Sequence, residues 1–400
     1  LVERHIITPT NKYYKELDEA TFKSKNLYNS TLYAIRQHFF QTEKYLSYAT
    51  LQKQFQDTKQ QDYSVLPSKV AQQTMKQVDT NFRAFFKALK AYKSNPSKFQ
   101  GRPKLPKYKE KVDGRFILTY TNQAISKKEC DKDGVIHPSG LEFRVKTKIL
   151  YKDINQVRIV PKCNYFVIEV IYKVSDCTLL NDNGKYAAID LGINNLATLT
   201  TNLIGDTPMV ISGKEVKSYN QYYNKQVAYY KSILDLQNGT KTSRRVRRLH
   251  LKRKCKIEDY MHKTSRYLVN QLVSKGINTL IIGKNDGWKQ DINIGKVNNQ
   301  KFVQIPFESL ISKLQYKCAL IGIQVELVNE SYTSKCSFLD GETIEKHEEY
   351  VGKRIHRGLF RSAQGTLINA DVNGSYNILR KSKPKAFVDG VEGVVVHPVI

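Results

Sequence analysis

From residue 12 to residue 95 the apolar positions fall three and four apart, the spacing of one helical face. The plainest case is "LPSKVAQQTMKQVDTNFRAFFKALKAY", where Ala71, Met75, Val78, Phe82, Phe85 and Leu89 make a stripe that reads as helical core. Ser68 is placed to cap this helix, Pro67 stands just outside it, and Asn95-Pro96 ends it. The period then shortens to that of strands. Residues 115–120, 141–145, 155–159 and 165–173 read as short strands of a small barrel or sandwich. The pattern changes again at Lys185. Strands are expected at 186–190, 196–201 and 209–212, then a helical stretch over about 217–275 and a strand at 279–283. The amphipathic helix of "IPFESLISKLQYKCALIG" follows, then a strand at 324–328 and a last helix opening at Asn369 or Ala370. Three strands, helix, strand, helix, strand, helix is the order of a ribonuclease-H fold.

One of these strands ends oddly. In "AAIDLGINNLATLTTN" the apolar Ala187, Ala188 and Ile189 run straight into Asp190. A buried carboxylate without a partner costs several kcal/mol, so it neutralises or finds a cation. An Asp that caps a hairpin turn and an Asp that binds a cation fit this stretch equally well.

Charge narrows the choice. The formal net charge is +28, which points to a polyanion, nucleic acid before an acidic membrane. The 25 tyrosines interleaved with lysine suit base stacking beside phosphate contact. No run of about 18 apolar residues predicts a transmembrane helix, and "LVERHIITPTNKYYKEL" is too polar for a secretory signal, although a chain opening on Leu leaves an upstream start open. The six cysteines include no pair two residues apart, so zinc-finger and thioredoxin-like spacings are both missing, and they read as reduced, structural thiols.

Three stretches together resemble the TnpB family of insertion-sequence-encoded, RNA-guided DNA nucleases related to type V CRISPR effectors: "AAIDLGINNLATLTTN", "KFVQIPFESLISKLQYKCALIGIQVELVNESYTSK" and "NADVNGSYNILRK". The pairing of "DLGINNLAT" with "DVNGSYNIL" is specific, and the likeness extends to the helical N-terminal part and "GRPKLPKYK". The resemblance implies a fold that joins α/β, all-β and all-α parts: a RuvC/ribonuclease-H-like nuclease domain, a wedge-type β-barrel and a helical recognition insert. The implied layout is a first barrel strand at 1–11, the recognition insert at 12–95, the rest of the barrel at 96–182 and the nuclease core at 183–330, with a basic helical insert at about 217–275. A target-nucleic-acid-binding insert at 331–364, the last nuclease helix at 365–382 and a tail at 383–400 complete it.

In that frame Asp190 and Asp371 are Mg²⁺ ligands, since oxygen ligands suit Mg²⁺ and paired ions stabilise the attacking and leaving oxygens of a phosphodiester. The other reading of Asp371 is a helix-start acid on the helix dipole. Relatives carry a Glu at the end of the fourth strand, where this chain has Gly283. Either the nuclease is inactive or another carboxylate has taken the role. Glu330, at the end of the adjacent strand, is the candidate, because neighbouring strands lie about 4.8 Å apart and Gly283 has no side chain in the way. Asp286 and Glu326 are weaker rivals, and an ordinary exposed loop acid is the plain alternative for Glu330. The catalytic and metal set is thus Asp190, Glu330 and Asp371, with two Mg²⁺ ions expected. Relatives also carry a four-cysteine finger before the last helix. Here only Cys336 remains, and His347 and His356 do not complete a spacing. No zinc is expected, and Phe338, Leu339, Tyr350, Ile355, Leu359 and Phe360 are expected to hold the segment by packing.

The nucleic-acid contacts are expected on Arg102, Lys104 and Lys107 and on the acid-free run "KTSRRVRRLHLKRKCK": Lys241, Arg244, Arg245, Arg247, Arg248, Lys252, Arg253 and Lys254. His262, Lys263 and Arg266 continue it. The expected protein is a Mg²⁺-dependent, RNA-guided DNA endonuclease of a transposable element, with guide RNA and target DNA as partners. It is expected to be a cytoplasmic, nucleoid-associated monomer holding one RNA, without membrane contact. The alternatives are an RNA-guided repressor that does not cut and a guide-free DNA transposase.

Overall fold

The computed structural model describes residues 1–175, 177–237, 242–285, 287, 295–356, 358–387 and 394–398. The chain divides into two compact units, Leu1–Ser175 and Asp176–Ile400.

The first unit opens with β1 (Val2–Ile7), followed by four helices, α1 (Tyr14–Thr42), α2 (Tyr48–Asp57), α3 (Gln61–Ser64) and α4 (Ser68–Ser94). Then come β2 (Leu118–Thr121), α5 (Lys127–Asp133), the ribbon of β3 (Val135–Ile136) and β4 (Val145–Lys146), β5 (Ile154–Pro161) and β6 (Phe166–Tyr172). One antiparallel sheet runs β1-β6-β5-β2, so the four helices are an excursion between its first strand and the rest. The stripe on α4 is buried at Ala71, Met75, Val78 and Phe82 and half-buried at Phe85 and Leu89. Ser68 does not cap α4. Pro67 holds the N-cap position without a side-chain bond, and the Ser68 hydroxyl accepts from Gln72 Nε2 at 3.3 Å instead. The expected strand at 141–145 shrinks to the two residues of β4. The proline-bounded basic segment is pinned to α1: Asn29 Nδ2 donates to Lys109 O at 3.0 Å, and its Oδ1 accepts from Lys109 N at 2.8 Å.

The second unit begins with β7 (Tyr186–Asp190), β8 (Asn195–Thr201) and β9 (Met209–Ser212). It continues through α6 (Lys214–Leu236), α7 (Arg244–Ser274), β10 (Thr279–Gly283), α8 (Lys296–Val303), α9 (Phe307–Ala319) and β11 (Gln324–Val328). The short strands β12 (Lys353–His356), β13 (Leu359–Arg361) and β14 (Leu367–Asn369) form a separate antiparallel sheet before α10 (Ala370–Ser382). The main sheet runs β11-β10-β7-β8-β9. β7, β8 and β9 are antiparallel, whereas β10 is parallel to both β7 and β11. Strand alternation divides the side chains between two faces. Ala187, Ile189, Leu280 and Ile282 join α7 and α9 residues such as Leu268, Leu272, Leu310 and Leu314 in one core. Ala188 and Ile281 join Ile378 and Leu379 of α10 in the other. Asp190 and Gly283 follow in phase on the α10 face.

Ahead of α10 the expected aromatic packing holds in part, with Phe338, Phe360 and Leu339 in one apolar cluster. Phe338 and Phe360 are buried, but Leu339 and Tyr350 are only half-buried and Ile355 is exposed. The missing apolar contacts are replaced by a buried polar network on α10. Asn373 Nδ2 donates to Cys336 O at 2.9 Å, and its Oδ1 accepts from Phe338 N at 3.0 Å. Asn377 Nδ2 donates to Thr333 O and Cys336 O at 2.9 and 2.7 Å. The buried Glu342 carboxylate accepts from Ser337 N and Val351 N at 2.6 and 2.9 Å.

Candidate metal centre and nucleic-acid surface

The sheet order sets the first distances. β10 lies between β7 and β11, with Ile282 opposite Ile189 and Gly283 opposite Val328. Asp190 therefore ends one strand and Glu330 follows the end of another, with only Gly283 between them. A β-carbon built on Gly283 would stand 3.0 Å from Glu330 Oε2 and 2.5 Å from Ile378 Cδ1. The glycine is the space that the Glu330 carboxylate uses. Asn285 holds Glu330 at two points: its Nδ2 donates to the carboxylate Oε1 at 3.2 Å, and its Oδ1 accepts from the Glu330 backbone N–H at 3.1 Å. Oε2 is buried without a hydrogen-bond partner.

Asp371 arrives from α10. The Asn369 side chain caps that helix, accepting from Asp371 N and Val372 N at 3.0 and 3.3 Å. Asn195 Nδ2 donates to Asp371 Oδ2 at 2.6 Å. α10 is seated on the sheet by the buried Ser375, whose hydroxyl donates toward Ala188 O and Thr198 O, both at 3.1 Å. The close approach depends on Gly374, where a β-carbon would stand 3.0 Å from Asp190 Oδ2.

Asp190 feels the other two acids. Burial raises the Asp190 pKa well above the usual carboxylate range, and the charges of Glu330 and Asp371 push it the same way. Its bond from Leu191 N and the charge of Arg354 on β12 oppose the rise. Burial pushes Glu330 up to about 7. This is an excess of negative charge that a cation would relieve. The carboxylates do not close on one point, however: among the described residues no three His, Cys, Asp or Glu side chains are grouped so as to hold one ion. Of the rival acids, Glu326 is committed elsewhere, to Lys383 Nζ and Ser382 Oγ, both at 2.8 Å. Asp286 lies outside the described residues, as does Lys241.

Sequence reasoning missed Asn195, Asn285 and Gly374. Gly374 had left a signal, since a glycine inside a helix costs about 1 kcal/mol relative to Ala and so calls for a packing reason.

The basic positions are mostly offered to solvent. Arg102, Lys104 and Lys107 are exposed on the first unit, as are Arg244, Arg245, Arg248, Lys252, Lys254, His262, Lys263 and Arg266 on α7. Lys263 is already ion-paired, to Asp259 at 2.7 Å. Arg247 and Arg253 are half-buried. Arg253 is tied down by Asn220 Oδ1 at 2.7 Å and Gln304 O at 3.1 Å, which makes it part of the scaffold.

Comparison with known proteins finds family models and relatives that parts of this chain resemble. A family model described as a probable transposase, OrfB_IS605, matches residues 169–289, and a Cas12f1-like TNB domain model matches residues 307–378. A TnpB-like protein, ORF457, of Acidianus two-tailed virus is 26% identical over 225 residues, covering 54% of this chain and 44% of the viral protein. The TnpB-like protein MJ1635 of Methanocaldococcus jannaschii is 24% identical over 201 residues, covering 50% of this chain and 44% of that protein. The matches thus span less than half the length of these curated relatives. Among solved structures, a Cas12f1–sgRNA–target DNA complex has a chain at TM-score 0.38 and 15% identity, covering 96% of this chain and all of that one. A CRISPR-Cas12f ternary complex gives TM-score 0.37 at 12% identity, covering 91% and 80%.

Proposed function

We propose that this chain, which is similar to TnpB-like proteins, is an RNA-guided DNA endonuclease with a RuvC-type site made of Asp190, Glu330 and Asp371. The observation that carries the reading is the seat of Glu330 over Gly283: a carboxylate reaches the α10 face of the sheet from one strand farther out, where the fourth strand ends without one.

Asp190, Glu330 and Asp371 would hold Mg²⁺, and hard carboxylate oxygens are the donors it takes. When bound, Mg²⁺ supplies activation of the attacking water and stabilisation of the leaving oxygen. The protein's own part is orientation. Asn285 fixes Glu330, Asn195 fixes Asp371, and the capped start of α10 sets where Asp371 stands. The buried Glu330 Oε2, with no partner of its own, is the atom that gains most from a cation. The exposed cations of α7 and of the 102–107 segment would contact phosphates, which gives affinity without sequence. Sequence would come from pairing between guide RNA and target DNA. In this reading residues 1–11 and 96–182 form the wedge and residues 12–95 the recognition helices. The protein works as a monomer with one RNA, in the cytoplasm at the nucleoid. No described helix is long and apolar enough to cross a membrane.

A guided repressor that does not cut is the second reading. It is favoured by the fact that no three ligating side chains among the described residues are grouped for one ion. One experiment separates the two. The protein is purified with and without nuclease treatment, its RNA is sequenced, and the complex is offered matched DNA with Mg²⁺. Guided cutting supports the nuclease, tight guided binding without cutting supports the repressor, and protein without RNA that ignores added RNA overturns both.

A further inference from the structure

α6 carries Tyr219, Tyr222, Tyr223, Tyr229 and Tyr230, a stripe that on most helices would be core. Here Tyr222 is 61% exposed. Tyr219, Tyr222 and Tyr223 face the basic half of α7 across a cleft of about 740 Å³, within the roughly 300–1,000 Å³ typical of ligand sites. The cleft has a fixed floor. Tyr223 Oη shares a hydrogen bond with His250 Nδ1 at 2.6 Å, and the guanidinium of Arg253, itself tied to Asn220, lies 5.0 Å from the centre of the Tyr223 ring. Above it, Lys256 Nζ stands 5.8 Å from the centre of the Tyr219 ring, and Lys252 lines the same wall. Among the described residues no hydrogen bond, ion pair or ring contact engages Tyr222. The single acid in the lining, Asp259, is paired with Lys263 at 2.7 Å.

An exposed aromatic wall, a rigid floor and rim cations are the parts of a base-stacking site. A duplex hides the faces of its bases, so the occupant must be unpaired. Tyrosine and serine hydroxyls in the lining can accept from a 2′-hydroxyl, which DNA does not have. We propose that this cleft binds an unpaired nucleotide of single-stranded RNA, its base stacked on Tyr222 beside Tyr219 and its phosphates on Lys252 and Lys256. The proposal rests on the reading of α7 as a nucleic-acid surface and adds to it a built pocket for one base.

The test uses the full chain freed of RNA, with oligouridylate as probe, and measures affinity by anisotropy over a salt series. Stacking of one base predicts that Tyr222→Ala binds about tenfold more weakly. The slope of log affinity against log salt should not change, because no charge is lost. Tyr222→Phe should bind like the wild type. The Lys252→Ala, Lys256→Ala double variant should flatten the slope by about 0.7 per lysine. Cys255, an exposed thiol lining the cleft, should be alkylated more slowly when oligouridylate is bound, while the exposed Cys177 reacts at an unchanged rate. Wild-type binding by Tyr222→Ala, with Cys255 unprotected, would overturn the cleft and leave the α7 surface standing. A wild type that ignores oligouridylate at low salt would overturn both. Equally tight, Tyr222-dependent binding of oligodeoxyuridylate would overturn the choice of RNA.

Discussion

Gly283→Ala adds a single carbon at the point on which the site turns. The new β-carbon would stand 2.5 Å from Ile378 Cδ1 and 3.0 Å from Glu330 Oε2. Both are closer than packed atoms tolerate, and both neighbours must move. Forcing an extra carbon into a packed core costs about 1–3 kcal/mol. For a unit of this size that is about 2–4 °C in Tm for each kcal/mol. Ile378 can swing the end of its side chain aside, but Glu330 is held by both ends of the Asn285 amide and so moves as a carboxylate displaced from its seat. A 3.0 Å contact is relieved by a shift of a few tenths of an ångström; since a displacement of about 1 Å costs about a hundredfold in rate, the expected loss here is on the order of a few-fold. The two effects separate in a second variant. Gly283→Ala with Ile378→Val removes the clash with Cδ1 and should recover most of the lost Tm. It leaves the clash with Glu330, so guided cleavage should stay a few-fold low. Calorimetry and a single-turnover cleavage assay read the two quantities. Wild-type Tm and wild-type cutting by Gly283→Ala would refute the idea that the glycine makes room for Glu330.

Three further outcomes follow from the same structure. Chelation with EDTA should stop cleavage and leave the Tm unchanged, because the 333–351 segment is held by Asn373, Asn377 and Glu342; a lower Tm on chelation, or stoichiometric zinc on elemental analysis, would contradict this. Asn373→Ala should lower the Tm by several degrees, since it leaves the buried Phe338 N–H without its acceptor, a loss of about 1–3 kcal/mol. Lys317→Met should raise the Tm near neutral pH. Burial pushes the Lys317 pKa from 10.5 down to about 8, and among the described residues its ammonium donates to His262 O and Ser265 Oγ. The cost of holding it charged is fully present below about pH 8. Between about 8 and 10.5 the unfolded chain binds the extra proton, so wild-type stability recovers with rising pH and the advantage of the methionine variant should fade there. An advantage that grows with pH would refute the assignment.

Much of the second unit was legible because its strands are strongly apolar. Tyr186–Asp190, Thr279–Gly283 and Gln324–Val328 stand at the residues the pattern predicts. Their order in the sheet follows from the element sequence. The first unit was harder to read. α5, "KKECDKD", is about two charged turns with a single buried residue, Cys130, so it has no periodicity to find. The strand expected at 141–145 failed because Phe143 is buried while its neighbours Glu142 and Arg144 turn to local bonds, which gives alternation without a ladder partner. At the site, the family resemblance pointed to Asp190 and Asp371, and the place of Glu330 beyond the strand next to Gly283 made it the candidate for the third acid. The asparagines that aim two of these acids could not be named, since Asn195 and Asn285 are ordinary turn residues until the fold brings them across. The 331–364 segment misled for a related reason. Its aromatics suggested apolar packing, which Phe338, Leu339 and Phe360 provide, but amide side chains of α10 also hold it, and their partners are backbone groups that carry no sequence signal.

The most direct test of the central claim is a cleavage assay of Glu330→Gln beside the wild type, with bound guide RNA, matched target DNA and Mg²⁺. The substitution keeps the size of the side chain and removes its charge. Asp190→Asn and Asp371→Asn run alongside as the other two members of the set. The account predicts that all three variants keep guide and target binding and lose cutting by at least about a hundredfold, the loss expected when a reacting group is misplaced. Cutting by Glu330→Gln at the wild-type rate, while Asp190→Asn and Asp371→Asn are inactive, would contradict it and return Glu330 to the status of a loop acid.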